Sequence, residues 1–148
     1  ISKITGLKGD IRSSITYQDG CVYFTTKGGM LYRVAIDENG TLGEVKSFDM
    51  GYMGTGTPVI SDGVVFVSRS GEGVDQFNCI GAAYAIDAKT MGKIAEVEID
   101  GYIQSSMLLT TAYKESDKAL YLYATYNKKP GGMLVIEYDQ RSPLYTDR

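Results

Sequence analysis

The chain has 148 residues, 43% of them hydrophobic, and its 15 basic and 18 acidic side chains leave a formal charge of −3. That balance lacks the basic surplus of a nucleic-acid module, and no run of about 18 apolar residues is available to cross a bilayer. With no histidine, Ser-His-Asp and Cys-His machines, histidine-ligated metals and the imidazole base are all excluded. Twelve tyrosines and 18 glycines against 3 prolines point to an all-β chain. No signal peptide is visible, and the sequence begins at Ile1 rather than Met.

Turn signals and apolar runs recur three times along the chain. The first unit reads as strands A to D at Ser13–Tyr17, Val22–Thr26, Leu31–Ile36 and Glu44–Phe48. Asp19-Gly20 and Gly28-Gly29 make its turns. The second reads as Thr57–Ile60, Val64–Ser68, Ala82–Ile86 and Ile94–Ile99, with Asp62-Gly63 as the A-to-B turn. Asp-Gly pairs adopt positive φ cheaply, which is what a tight hairpin needs. In the third unit, Ser106–Thr110, Leu120–Tyr126 and Met133–Tyr138 supply A, B and C, and no strand D is evident over 140–148. Insertions at 70–78 and 113–118 account for unequal spacing.

The repeat has a readable period. Asp37, Asp87 and Asp139 close the third strands at intervals of 50 and 52, and Gly6, Gly51 and Gly101 open the units at intervals of 45 and 50. A unit of four short strands at this length is a β-propeller blade. The expected fold is therefore all-β, with three four-stranded antiparallel blades at about residues 6–50, 51–100 and 101–148. Residues 1–5 are expected to serve as an outer strand from or for another blade. Closed propellers usually have about 4 to 8 blades. Three form either a partial ring with missing blades of a longer chain, or half of a 3+3 six-bladed ring made by a homodimer.

DGVVFVSRSG followed by GAAYAIDAKTMGKI resembles the repeat of pyrroloquinoline-quinone-like β-propellers. The resemblance rests on Asp62-Gly63, Gly71, Tyr84-Ala85-Ile86-Asp87, Lys89-Thr90 and Gly92-Lys93. The first unit follows through Asp19-Gly20, Gly28-Gly29, Leu31-Tyr32, Asp37 and Gly40, and the third more loosely. The quinone-dependent dehydrogenases of that family carry tryptophan after the Thr-Gly-Lys turn. This chain has none, and Met91 interrupts the turn. The resemblance implies a non-enzymatic binding or scaffolding domain of a bacterial secreted or cell-surface protein. The alternative it leaves open is a fragment of a propeller enzyme, either a quinoprotein oxidoreductase or a carbohydrate-active one. No catalytic residue, cofactor or metal site is expected, and the expected partner is a protein or carbohydrate ligand.

Candidate residues come from position rather than from a motif. In a blade array the D-to-A and B-to-C loops share one face, which here receives Tyr52 and Tyr102 after equivalent glycines. The insertion adds Arg69, Asp75, Gln76 and Asn78, and the 127–132 loop joins them. Tyrosine offers apolar area with a polar tip, suited to peptides or sugars. The competing reading has the same tyrosines plugging gaps between blades. Glu72 and Asp75 read as an exposed polar hairpin, Asp37-Glu38-Asn39-Gly40 as a plain turn, and Lys128-Lys129-Pro130-Gly131-Gly132 as a solvated one. Cys21 and Cys79 are compatible with a single disulfide or with two buried thiols.

Overall fold

In a computed structural model describing residues 1–141 and the backbone of 145–147, Asp19-Gly20 and Asp62-Gly63 are two-residue hairpin loops. Their φ angles are 48° and 74°, and 50° and 74°, all positive as a type I′ turn requires. Each closes the first hairpin of a four-stranded antiparallel sheet. The first sheet runs β1 (Thr16–Gln18), β2 (Cys21–Thr25), β3 (Met30–Ile36) and β4 (Leu42–Asp49) in chain order. The second runs β5 (Val59–Ser61), β6 (Val64–Gly73), β7 (Cys79–Asp87) and β8 (Lys93–Asp100). The third has β9 (Leu108–Thr110), the one-turn helix α1 (Lys114–Asp117), β10 (Ala119–Tyr126), β11 (Gly132–Asp139) and β12 (Tyr145–Asp147).

The third sheet therefore supplies its own fourth strand. β12 pairs with β11 through Ile136, Glu137 and Tyr138, which corrects the expectation that no strand D lies within residues 140–148. Tyr145-Thr146-Asp147 has neither an Asp-Gly turn beside it nor an apolar run, the signals that mark the equally short β1, β5 and β9, so the sequence pattern passes over it. Residues 1–5 lie in no strand of this chain. Instead Ile4 and Leu7 lie against Phe24, Tyr32 and Val34 on the free face of the first sheet. Lys8 N donates to Tyr32 Oη (3.0 Å), and Thr26 Oγ1 donates to Lys8 O (2.7 Å). A Cβ on Gly28 would stand 2.4 Å from Lys8 O, so only glycine lets this segment cross the β2–β3 turn.

Two seams hold the sheets together. Cys21, Tyr23 and Leu31 of the first sheet meet Val65, Val67, Ala82, Tyr84 and Ile86 of the second. Phe66, Ala83, Ala85 and Ile99 meet Leu120, Leu122, Ile136 and Tyr138 of the third. β7 is buried on both faces, and its small Ala82, Ala83 and Ala85 let the sheets approach. Hydroxyls at the ends of the second strands stitch each sheet to the next. Thr25 Oγ1 donates to Gly56 O (2.9 Å), and its counterpart Ser68 Oγ donates to Ile103 O (3.1 Å). Likewise Ser14 N donates to Thr57 Oγ1 (3.0 Å), and Thr57 N to Ser106 Oγ (2.9 Å). Cys21 and Cys79 are buried and unlinked, because β2 and β7 begin at opposite ends of their sheets.

The aspartates that close the third strands shape the next turn. Asp37 Oδ1 accepts from the backbone N–H of Asn39 (2.9 Å) and Thr41 (2.8 Å). Asp87 Oδ1 accepts from those of Lys89 (2.9 Å) and Thr90 (2.7 Å). Bonds from Thr41 and Thr90, above all, hold the two carboxyls below their ordinary value. A group whose folded value is depressed contributes stability above its unfolded value, and that contribution is lost as pH falls through the folded one. Denaturant midpoints should hold from neutrality down to about pH 4 and decline below it. Asp37→Asn with Asp87→Asn should flatten that acid limb, and an unchanged limb would rule these turns out as its source.

Candidate functional site

The loops at the β2–β3, β4–β5 and β8–β9 ends gather on one edge of the array. There Arg12, Thr55 and Gln104 line a cavity of about 440 Å³ together with Lys27 and Met53. The first three are equivalent positions, each four residues ahead of the first strand of its sheet at Thr16, Val59 and Leu108. Lys27 comes from the β2–β3 turn, where its N–H donates to Asp10 O (2.8 Å). None of these five residues was singled out by sequence pattern. The signal that could have found them is the repeat register itself, read one step before each first strand.

The hydrogen bonds of the lining are largely committed. Thr55 Oγ1 donates to Gln104 O (2.7 Å), so the Tyr102 hydroxyl donates to Thr55 Oγ1 (2.7 Å). Asn127 Nδ2 donates to Gln104 Oε1 (2.7 Å). These bonds tie the 127–132 loop of the third sheet to the cavity rim. They leave the Gln104 amide nitrogen, the Arg12 guanidinium and the Lys27 ammonium as donors toward the space.

The two candidate tyrosines part company here. Tyr102 is fully buried, which corrects its placement on the exposed ligand face. Its backbone pairs with Asn127 in both directions (3.2 and 2.8 Å) and its hydroxyl bonds Thr55, so the side chain is held between the 55 and 127 loops. Burial pushes the Tyr102 phenol up, partly offset by Thr55. Tyr52 stays on the surface, 41% exposed, with the Arg69 guanidinium 5.1 Å from its ring centre.

Arg69 is a clamp more than a free contact. Its Nε donates to Tyr84 Oη (2.7 Å) and its Nη2 lies 3.7 Å from Glu96 Oε1, while Lys93 holds the other Glu96 oxygen at 2.7 Å. Partial burial raises the Glu96 carboxyl, but Lys93, Tyr84 and Arg69 outweigh it and keep the group below its ordinary range. Asp75 and Asn78 spend their side chains on each other at 3.3 Å, and Asp75 also accepts from Phe77 N (2.7 Å). They fold the tip of the β6–β7 hairpin, with Gln76 exposed beside them. Lys129 lies 4.8 Å from the Phe77 ring centre, so the two long loops do meet, as their positions imply.

No family model matches the chain, and no curated protein matches it. Solved structures do. Quinohemoprotein alcohol dehydrogenase ADHIIG from Pseudomonas putida HK5 superposes with a TM-score of 0.62 at 16% identity, over 89% of this chain and 25% of that one. Quinohemoprotein alcohol dehydrogenase from Comamonas testosteroni gives 0.60 at 15% identity, over 92% and 26%. The three sheets are β-propeller blades. At this identity the likeness concerns the fold alone, and the chain spans about a quarter of the length of either enzyme. Among the described residues no helix is long and apolar enough to cross a membrane. The cavity thus lies where the segments leading into the first strands of three successive blades meet the B-to-C turn of the first.

Proposed function

We propose that the chain is a non-enzymatic binding domain whose contact surface is the loop-bearing face of the blades. It would belong to a bacterial secreted or cell-surface protein, the setting that the repeat resemblance implies. The observation that carries the binding reading is the cavity assembled from equivalent positions of three blades, a size within the usual range for small-ligand sites. Fold alone does not transfer the chemistry of the structural neighbours. A protein or carbohydrate ligand would enter beside Tyr52, across the rim made by the Met53 and Gln104 loops. Glycan and peptide arrays probed with the intact chain supply the test. Met53→Trp, which fills the cavity from a half-buried position, should abolish capture of whatever ligand scores. Unchanged capture would remove the site from this face. Reconstitution with quinone and calcium, followed by dye reduction, tests the enzyme-fragment alternative; a clear signal would overturn the non-enzymatic reading.

The scaffolding part of the reading rests on the free face of the third blade. Leu108 and Met133 are each 65% exposed there, and Thr125 occupies the place of Thr25 and Ser68. Its hydroxyl lies 2.9 Å from Ser105 within its own blade, where its counterparts reach a following blade. This face fits a further blade of the same kind, continuing the two seams already formed.

A further inference from the structure

We propose that the cavity ringed by Arg12, Lys27 and Gln104 is an oxyanion site, taking the carboxylate or phosphate group of a small ligand. The proposal rests on the binding reading above and adds the chemistry of what is bound. Its first support is the donor balance of the lining. The Thr55 hydroxyl is spent on Gln104 O while its oxygen accepts from Tyr102, and the Gln104 side-chain oxygen accepts from Asn127. The side-chain groups left to a ligand are a guanidinium, an ammonium and an amide NH₂, all donors.

Charge supplies the second support. Arg69, Lys93, Lys114 and Lys128 each hold a carboxylate within ion-pair distance. Arg12 and Lys27 have no such partner among the described residues, and no acidic side chain lines the cavity. Arg33 and Lys89 also meet at a cavity with no ion pair among the described residues, but Asp19, Asp62 and Asp87 line that one, whereas Arg12 and Lys27 face no acidic lining residue. The repeat makes the arrangement specific, because the position equivalent to Arg12 is threonine in the second blade and glutamine in the third. Charge is thus confined to one side of the rim, with neutral hydrogen-bonding groups across from it. A guanidinium fork presents paired N–H groups to a carboxylate or phosphate, and a lysine adds a point charge. Met53 gives the ligand body an apolar surface.

The test is an amide-resolved NMR titration of the intact chain with citrate, with inorganic phosphate and with glycerol as the uncharged control. At least one anion should produce saturable shifts concentrated at Lys27, Thr55 and Gln104, weakening as salt is added. Glycerol should produce none. The citrate and phosphate arms decide between the carboxylate and phosphate sources. Arg12→Gln with Lys27→Gln should weaken the response at least about tenfold, and both residues are exposed, so the fold should persist. Absence of saturable shifts with either anion would overturn the proposal. Equal shifts in the double variant, or shifts scattered over the other lysines, would do the same. If Met53→Trp abolishes capture of a neutral ligand while neither anion binds, the binding reading survives and the oxyanion assignment falls.

Discussion

Tyr102→Ala is expected to cost about 3–5 kcal/mol of folding stability, as deletion of a large buried aromatic does. The side chain is fully enclosed, its hydroxyl on Thr55 and its backbone pinned by the reciprocal Tyr102–Asn127 bonds. A cavity left there cannot collapse without breaking them. Tyr102→Phe removes only the hydroxyl that Thr55 accepts from, so about 1 kcal/mol is expected. Denaturant midpoints at constant m-value separate the two. The pair also separates packing from recognition, since a contact tyrosine would lower ligand affinity without moving the midpoint. A midpoint unchanged by Tyr102→Ala would show that the ring is not part of the packed interior.

That tyrosine shows where sequence reading succeeds and where it stops. The Asp-Gly hairpins and eleven of the strands are legible, because turn chemistry and strand patterning are local properties of the chain. β12 escapes because Tyr145-Thr146-Asp147 carries no Asp-Gly turn and no apolar run to mark it. Site residues are harder. Tyr52 and Tyr102 follow equivalent glycines, yet one lies under Arg69 at the surface and the other is buried. Their difference is made by Asn127, which sits 25 residues downstream and pairs with only one of them. No local pattern carries that. Arg69 and Asp75 read from the sequence as ligand-face contacts, and in the structure their side chains are committed to Tyr84 and Glu96, and to Asn78, within the fold. The cavity is instead lined by residues of ordinary composition, and only the superposition of three registers brings Arg12, Thr55 and Gln104 together.

The same registers set up a comparison within one molecule. Phe66 pairs with Val59, and Tyr123 pairs with Leu108, at the same place in successive blades. Phe66 is fully buried in the seam, its ring edge-on to Tyr138 at 5.1 Å between centres. Phe66→Ala should therefore cost about 3–5 kcal/mol, from lost transfer energy, the cavity left and the aromatic contact. Tyr123 is half-buried on the free face of the third blade. Its replacement by alanine should cost under about 1.5 kcal/mol, since solvent fills the space and no cavity forms. Equal losses for the two variants would mean that the third blade's outer face is already covered in this chain. An inequality of the expected size would show that burial by a following blade, and not strand position, gives the residue its weight. On that basis a further blade docked there should turn Tyr123 from a tolerant position into a costly one, with Leu108 taking the part that Val59 plays in the existing seam.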